Sequence, residues 1–360
     1  MTIKVYVVDD SAVVRQALAH MLAGSTELEL IGSAPNPLLA MEAIRKNPPD
    51  VLLLDIEMPG MDGLTFLRQI MGSHPIPTVI CSTLSTEGSR VALDALSAGA
   101  VAVLAKPKLG LKQHLEASRH EMIQTLKSAA RSRPRARTAT SSFVAVRPVN
   151  TGANGQFGVD SRVVGVHALA MNKPVVIGSS TGGTQALELV LTQLPADAPG
   201  IAITQHMPEK FTAMYAKRLD GLCAMNVREA RDGDRLERGL ALIAPGGLHM
   251  QLVKIRGQYH VKVLDGPPVN RHKPSVDVLF KSAAECAGRD ALGIILTGMG
   301  DDGARGMKQM HGVGARTIAQ NEETCVVFGM PKEAIKLQAV DEVLPLESIA
   351  NAILKFDARA

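Results

Sequence analysis

The sequence predicts an α/β fold made of two domains, each built on a mainly parallel β-sheet. The chain has 360 residues, a length typical of two domains. Short apolar runs alternate with segments whose apolar residues recur at helical spacing, which predicts buried strands covered by helices. Between residues 128 and 169 this alternation stops. We therefore expect a first domain over residues 1–125, a flexible Arg-, Ser- and Gly-rich linker over 126–170 and a second domain over 171–360.

The first domain has apolar runs that are predicted to form parallel strands. They are Val5–Val8, Leu28–Ile31, Val51–Leu54, Thr78–Cys81 and Val101–Leu104. The segments between them carry apolar residues on one helical face, for example the series Val14, Leu18, Met21 and Leu22. Because buried strands alternate with helices, we expect a doubly wound sheet.

The same alternation of apolar runs and helical segments returns in the second domain from Lys173 onwards. Its predicted strands are Val175–Ile177, Gly200–Thr204, Leu240–Ala244 and Leu292–Leu296. Residues Gln251–Leu264 instead alternate between apolar and polar side chains, and Gly257 lies where a turn is needed. We therefore expect an antiparallel hairpin inside a parallel α/β domain.

Composition and charge exclude several classes of protein. The net charge of +4 arises from 39 basic and 35 acidic residues, an excess too small to indicate nucleic-acid binding. The four cysteines form no C-x-x-C pair, so neither disulfides nor a zinc site are expected. No apolar run reaches the length of a membrane span, and no leader precedes the first strand. We expect a cytoplasmic monomer that binds no nucleic acid and does not insert into membranes.

Polar residues follow four of the predicted strands of the first domain. Asp9 and Asp10 come after the first strand, and Asp55 comes after the third. The carboxyl ends of parallel strands meet at one sheet edge, where these carboxylates would repel one another unless a cation such as Mg²⁺ binds. Thr83 and Lys106 add a hydroxyl and a cation at that edge. Taken singly, each carboxylate also fits a cap of the next helix.

These segments resemble the receiver domain of two-component response regulators. The resemblance rests on V-V-D-D-S (7–11), L-L-L-D-I-E-M-P-G-M-D-G (52–63), S-T-L (82–84) and A-K-P (105–107). It implies a flavodoxin-like fold with Asp55 as phosphoryl acceptor, Asp9, Asp10 and Asp55 as Mg²⁺ ligands, and Thr83 and Lys106 as phosphate contacts. Val103 stands where many receivers have an aromatic residue, so signalling by rotation of that ring is not expected.

A serine in the second domain lies in a strand–turn–helix pattern. Gly178, Ser180 and Gly182 fit the G-x-S-x-G nucleophile elbow, in which small residues let the chain turn sharply and present the serine. The run lacks the lysine of a Walker loop and the spacing of a dinucleotide-binding loop. A glycine-rich turn without chemistry remains an alternative on this motif alone.

A serine nucleophile needs a base and a carboxylate that orients it. His206 follows the next predicted strand and is the best-placed histidine, with His249 and His272 as rivals. Asp301 and Asp302 follow the strand Leu292–Leu296. The order Ser, His, Asp differs from that of α/β-hydrolases, in which the acid precedes the histidine.

Two backbone amides are candidates for stabilising the oxyanion of such a reaction. Glycines on both sides of Met299 allow close approach of its amide, and the amide of Thr181 lies at the start of the helix after the elbow.

Together these motifs resemble the catalytic domain of the chemotaxis protein-glutamate methylesterases. The resemblance covers residues 173–355 and includes I-G-S-S-T-G-G-T, I-T-Q-H-M-P, I-A-P-G-G-L-H, K-P-S-V-D-V-L-F and L-T-G-M-G-D-D-G-A. It implies Ser180 as nucleophile, His206 as general base and acid, and Asp302 as orienting carboxylate. Asp302 is preferred to Asp301 because it directly precedes Gly303, as in that family. Asp232 and Asp277 are lesser candidates, expected to cap helices or turns.

Both resemblances together imply a phosphorylation-activated enzyme that hydrolyses glutamate methyl esters on the cytoplasmic helices of chemoreceptors and releases methanol. The same site is expected to deamidate glutamine. The expected phosphodonor is a chemotaxis histidine kinase, and the expected cofactor is Mg²⁺ in the receiver, with none for ester hydrolysis. The alternatives are a phosphorylation-dependent binding module without catalysis and a serine esterase of another signalling pathway. We also expect the unphosphorylated receiver to cover the mouth of the Ser180 site.

Overall fold

The computed structural model describes residues 2–58, 62–82, 86–106, 112–132, 173–209 and 211–358. Most of the predicted linker and Thr83 therefore lie outside the described residues. Within those ranges, no helix is both long enough and apolar enough to span a bilayer.

The first domain is a parallel five-stranded sheet with the strand order β2-β1-β3-β4-β5. Its strands are β1 (Ile3–Val8), β2 (Leu28–Ala34), β3 (Val51–Asp55), β4 (Thr78–Ser82) and β5 (Ala102–Ala105). Its helices are α1 (Ala12–Ala23), α2 (Pro37–Lys46), α3 (Gly63–Ser73), α4 (Thr86–Ser97) and α5 (Lys112–Ala130). Leu52 and Leu54 belong to one apolar cluster and Val51 and Leu53 to another, so the central strand β3 is buried on both faces.

Local signals explain where the helices of this domain begin. Ser11 caps α1 and Asp62 caps α3, each by accepting a hydrogen bond from a backbone N–H of the first turn. The last of these helices, α5, runs to Ala130. The predicted domain end at residue 125 therefore falls inside a helix, and the expectation of a flexible chain from residue 126 was wrong for its first five residues, 126–130.

The second domain is a parallel seven-stranded sheet with the order β14-β13-β12-β6-β7-β9-β8. Its sheet strands are β6 (Val175–Ser179), β7 (Ile201–Gln205), β8 (Asn226–Glu229), β9 (Leu240–Ile243), β12 (Leu292–Ile295), β13 (Arg316–Gln320) and β14 (Glu342–Leu344). Its helices are α6 (Gly183–Leu191), α7 (Phe211–Asp220), α8 (Val276–Cys286), α9 (Ala304–Gly312), α10 (Met330–Lys336) and α11 (Leu346–Asp357). The order reverses beside β6, where open α/β sheets place their sites.

The predicted hairpin is confirmed. It consists of β10 (His249–Ile255) and β11 (Gln258–Leu264), which pair antiparallel outside the main sheet. Arg256 and Gly257 form the two-residue turn, both with positive φ (49° and 82°), as the twist of a tight hairpin requires.

Candidate active site and phosphorylation site

Three adjacent strands of the second domain bring the predicted catalytic residues to one edge of the sheet. Ser180 directly follows β6, and His206 directly follows β7. The loop after β12, on the other side of β6, contains Met299 and Asp302. His206 and Asp302, 96 residues apart in the sequence, therefore meet because parallel strands end together.

The turn at Ser180 is held by backbone hydrogen bonds on both sides. The Ser180 amide donates to the carbonyl of Thr297 at 3.0 Å, and Gly183 N–H donates to the carbonyl of Ser180 at 2.8 Å. Gly182 has φ +79°, a left-handed conformation that residues with a Cβ rarely adopt. These contacts place the serine between the strand end and α6, as in a nucleophile elbow.

His206 is hydrogen-bonded to Asp302, with 2.8 Å between Nε2 and Oδ2. The Asp302 side chain is almost completely buried, at 1% exposure. Its carboxylate also accepts hydrogen bonds from Asn270 Nδ2, Ser275 Oγ and the amides of Val276 and Asp277. Burial raises the pKa of Asp302, but the hydrogen bond and charge of His206 and the other donors outweigh it and hold that pKa well below its usual range.

The contact with Asp302 determines which nitrogen of His206 can act as a base. An ionised carboxylate only accepts hydrogen bonds, so Nε2 carries the proton in the neutral ring. The other nitrogen, Nδ1, is buried and has no hydrogen-bond partner within the described residues. Nδ1 is therefore the atom available to take a proton from a serine hydroxyl.

The two rival histidines have different surroundings. The ring of His272 stacks on that of His206, with 3.7 Å between centroids and 12° between planes. Burial and the neighbouring His206 lower the pKa of His272 to about 3, so this ring stays neutral in the working range. His249 is buried, accepts from Ser275 N and contacts the carbonyl of Pro267, which is a structural role.

Gln205 supports the serine turn and was missed in the sequence. Its Nε2 donates to the carbonyls of Ser180 and His206, each at 2.9 Å. Its Oε1 accepts from Ser179 Oγ at 2.6 Å. A buried glutamine as the last residue of a strand is the only sequence signal for this role.

The two candidate oxyanion amides remain available in the structure. Neither Thr181 nor Met299 donates its amide hydrogen to a partner within the described residues. Gly298 lies so close to the serine that a Cβ added to it would be 2.8 Å from Ser180 Cβ. The loop after β12 can therefore approach the nucleophile only with glycine at this position.

The remaining acidic candidates lie elsewhere. Asp301 is exposed, whereas Asp302 is buried. Asp232 accepts the amide of Val263 beside the hairpin. Asp277 is fully buried in the first turn of α8 and accepts the amide of Gly306.

The acidic residues of the first domain also meet at a sheet edge. Oxygen atoms of Asp9, Asp10 and Asp55 all lie within 4.8 Å of one another. Lys106 Nζ is 2.6 Å from Asp55 Oδ2 and 3.3 Å from Asp9 Oδ2. Burial, with the charge of Asp55 as a lesser cause, raises the pKa of Asp9 although Lys106 opposes the shift.

The donor set of this acidic cluster fits a hard divalent cation. Asp9 Oδ2 is buried, and Lys106 Nζ at 3.3 Å is the one neighbour that an ion pair gives it within the described residues, so this oxygen can still act as a metal ligand. Asp10 is exposed, so a cation bound here keeps access to water, as Mg²⁺ prefers. Asp55 is fully buried, and Thr83 lies outside the described residues.

Comparisons with known proteins show the family of each domain. The family described as CheB methylesterase matches residues 175–353, and the response regulator receiver domain matches residues 5–116. A protein-glutamate methylesterase/protein-glutamine glutaminase of Dechloromonas aromatica is 56% identical over 358 residues, 98% of each chain. A protein of the same description from Chromobacterium violaceum is 54% identical over 357 residues, 99% of this chain and 100% of that one.

A solved structure supports the fold of the second domain. The crystal structure of the Thermotoga maritima CheB methylesterase catalytic domain superimposes with a TM-score of 0.50 at 39% sequence identity. It covers 51% of this chain and 98% of that chain.

The close approach of the β12 loop predicts the effect of a small substitution. In Gly298→Ala, the new methyl group would overlap Met330 Sδ and lie 2.8 Å from Ser180 Cβ, so the serine must move. A displacement of 1 Å costs about a hundredfold in rate, and we expect a loss of that order in ester hydrolysis. Gly312→Ala is the control because nothing lies within 4 Å of its added Cβ. Equal hydrolysis rates in the two variants would contradict this prediction.

The acidic cluster predicts how Mg²⁺ binding responds to mutation. Asp9→Asn removes a charged ligand, and we expect Mg²⁺ affinity to fall by about ten- to a hundredfold. Because protons compete for the same carboxylates, binding by the wild type should also weaken as pH falls. Calorimetric titration with Mg²⁺ measures both effects. Asp50→Asn, an exposed carboxylate at the start of β3, should bind Mg²⁺ like the wild type.

Proposed function

Because the chain belongs to the CheB methylesterase family and carries a response regulator receiver domain, we propose that it hydrolyses glutamate methyl esters on chemoreceptors under the control of phosphorylation. The observation that carries the proposal is the buried His206–Asp302 pair beside the Ser180 turn. The same chemistry applies to glutamine side chains, since only the leaving group differs.

The reaction follows from the positions of the three side chains. Ser180 Oγ attacks the ester carbonyl while His206 Nδ1 takes the hydroxyl proton, and Asp302 stabilises the imidazolium that forms. The negative charge on the carbonyl oxygen is stabilised by the amides of Thr181 and Met299, each worth about 10²–10³ in rate. His206 then gives its proton to the leaving methoxide and methanol departs.

Water completes the cycle by the same base. It attacks the acyl-enzyme while His206 takes a proton, and the glutamate carboxylate is released as Ser180 Oγ is reprotonated. With glutamine as substrate, ammonia leaves in place of methanol. These steps use side chains and amides of this chain alone.

The receiver contributes phosphoryl acceptance at Asp55. Asp9, Asp10 and Asp55 would hold Mg²⁺, which neutralises charge as a phosphoryl group is transferred, and Lys106 would then contact the phosphate. A chemotaxis histidine kinase is the proposed phosphodonor. The substrate glutamates lie on cytoplasmic receptor helices in this proposal, so the protein would act in the cytoplasm.

The position of the receiver supports inhibition of the unphosphorylated protein. The carbonyl of Val101 accepts a hydrogen bond from Gly182, two residues after the nucleophile, at 3.4 Å. Gln185 Nε2 donates to the carbonyls of Leu96 and Ala100 at 2.7 and 3.3 Å. Val326, which contacts the Gly182 turn, packs against an apolar cluster of the receiver.

Helix α5 of the receiver also forms part of the cleft at the catalytic edge. The cleft has a volume of about 600 Å³ and is lined by Ser128 and Arg131 of the receiver side and by Met299 and its neighbours on the catalytic side. A receptor helix that approaches Met299 must therefore pass α5. We propose that phosphorylation shifts the population towards an arrangement in which the receiver leaves this cleft.

A binding module without catalysis is disfavoured by the same geometry. Such a module has no need of a nearly fully buried, ionised carboxylate held on a histidine, because that burial is costly unless it has a function. A serine esterase of another signalling pathway would share the triad and differs only in substrate.

The test of the proposed function is methanol release from methylated receptor membranes. We expect release by the wild type and a loss of at least about 10³-fold in Ser180→Ala, since only the oxyanion amides and binding remain. Ser348→Ala, at the start of α11, is the matched control and should release methanol normally. Equal release by wild type and Ser180→Ala would assign the chemistry to another residue.

Inhibition by the receiver predicts a gain of activity. In Gln185→Ala the two hydrogen bonds to the receiver carbonyls are lost, and each is worth about 1 kcal/mol. We expect the unphosphorylated chain to become about two- to tenfold more active, with no change after phosphorylation. Gln193→Ala is the control, because that amide bonds only within its own helix region, to Leu189 O.

A further inference from the structure

A tight turn in front of α8 carries the residue on which this inference rests. Val269 and His272 pair with each other across the turn, and Asn270 and Arg271 occupy its two central positions with φ of 49° and 70°. Asparagine is favoured at such positions because it tolerates the left-handed conformation. The turn alone therefore explains an asparagine here, but it does not explain what the side chain does.

The amide of Asn270 bonds to two carboxylates at once. Its Nδ2 lies 2.9 Å from Asp302 Oδ1 and 2.9 Å from Asp277 Oδ2. An amide nitrogen carries two hydrogens, so one N–H is available for each carboxylate. Asp277 and Asp302 are both at most 1% exposed, which makes them a pair of buried acids close to each other.

Two buried carboxylates in contact repel each other, and one of them normally takes up a proton. Here both carboxylates accept hydrogen bonds from several donors. Asp277 Oδ1 accepts the amide of Gly306 at 2.7 Å, and Lys281 Nζ lies 3.4 Å from Oδ2. Asn270 supplies the one side-chain donor shared by both acids within the described residues.

We propose that Asn270 is a positioning residue of the catalytic centre: its amide separates Asp277 from Asp302 and keeps the Asp302 carboxylate ionised and aimed at His206. This inference rests on the proposed function of the triad and adds a residue to it. Asp277 then has a structural role. It lies in α8, accepts the amide of Gly306 in α9, and holds the Asn270 side chain in place by a hydrogen bond. Asn270 itself touches no substrate.

Two substitutions separate this role from that of a turn residue. Asn270→Asp and Asn270→Gly both keep a residue that tolerates a type I′ turn, so the backbone is preserved. Asn270→Asp replaces the shared donor by a third carboxylate, and Asn270→Gly removes the side chain. Gln338→Gly, at a distant residue with φ +53°, is the control for exchanging a left-handed residue for glycine.

The experiment measures the reactivity of Ser180 towards a small probe and, separately, towards the proposed substrate. The full chain is treated with a fluorophosphonate, which Ser180 Oγ attacks with loss of fluoride while His206 takes the proton, and labelling rates are recorded from pH 5 to 9. Methanol release from methylated receptors is measured in parallel. Thermal unfolding of each variant verifies that the fold is retained.

We expect the rates of labelling and of methanol release to fall about ten- to a hundredfold in Asn270→Gly. This range is typical when a residue that orients a functional histidine through hydrogen bonds is lost. Asn270→Asp should lose more. Both changes remove a hydrogen bond that holds the pKa of Asp302 low, so Asp302 should take up a proton at higher pH and the acid limb of the rate profile should move to higher pH. The titratable and charged groups that face this centre are His206, His249, His272, Arg271, Asp277 and Lys281.

A double variant makes the test specific. Asn270→Asp combined with Asp277→Asn restores two carboxylates and one amide, with the amide now on α8. We expect it to recover at least about tenfold over Asn270→Asp alone, a coupling that a mere turn residue would not show.

The proposal is overturned if Asn270→Asp and Asn270→Gly label within twofold of the wild type. It is also overturned if they lose activity with an unmoved acid limb and no recovery in the double variant. If the wild type labels with the probe but releases no methanol, the proposed substrate is wrong, and the labelling series still decides the role of Asn270.

Discussion

The buried charge of Asp302 is the constraint on which the catalytic centre depends. An ionised carboxylate removed from water costs several kcal/mol unless donors replace the solvent. Here the donors come from the N-terminal turn of α8, from Ser275 and Asn270, and from His206. The amides at a helix start favour an anion because the helix dipole is positive there. The Asp302 carboxylate thus holds three parts of the site in place through hydrogen bonds: α8, the turn before it and His206.

Both domains place their chemistry by the same rule of parallel sheets. Asp9 and Asp55 follow neighbouring strands in one domain, as Ser180 and His206 do in the other. Strand β5 connects the two sites. Lys106 at its end contacts Asp55, and Val101 at its start contacts Gly182 beside the nucleophile. One strand of the receiver therefore lies between the Asp55 cluster and the Ser180 turn.

Much of this arrangement could be predicted because it depends on local signals. Ser180, His206 and Asp302 each follow an apolar run with glycine or proline nearby, and a strand end is visible in a single sequence. Strands β8, β13 and β14 were missed because their segments are short or mix charged with apolar residues, as in Asn226–Glu229. The contacts of Asn270 and the stacking of His272 on His206 depend on the position of the turn before α8 in the folded domain. No spacing of residues in the sequence predicts that position.

In the proposed inhibition, the contact between receiver and catalytic domain has to be weak enough for phosphorylation to reverse it. Within the described residues, its polar part consists of hydrogen bonds from Gln185 and Gly182 to three receiver carbonyls and of Arg218, which lies 3.7 Å from Asp94. Such hydrogen bonds contribute about 1 kcal/mol each, and partly exposed ion pairs about 0–1 kcal/mol. A closed state favoured by a few kcal/mol can be reversed by a coupling of about 1–3 kcal/mol, which is the usual size of an allosteric effect. A larger or more apolar interface would hold the receiver in place whether or not Asp55 carried a phosphoryl group.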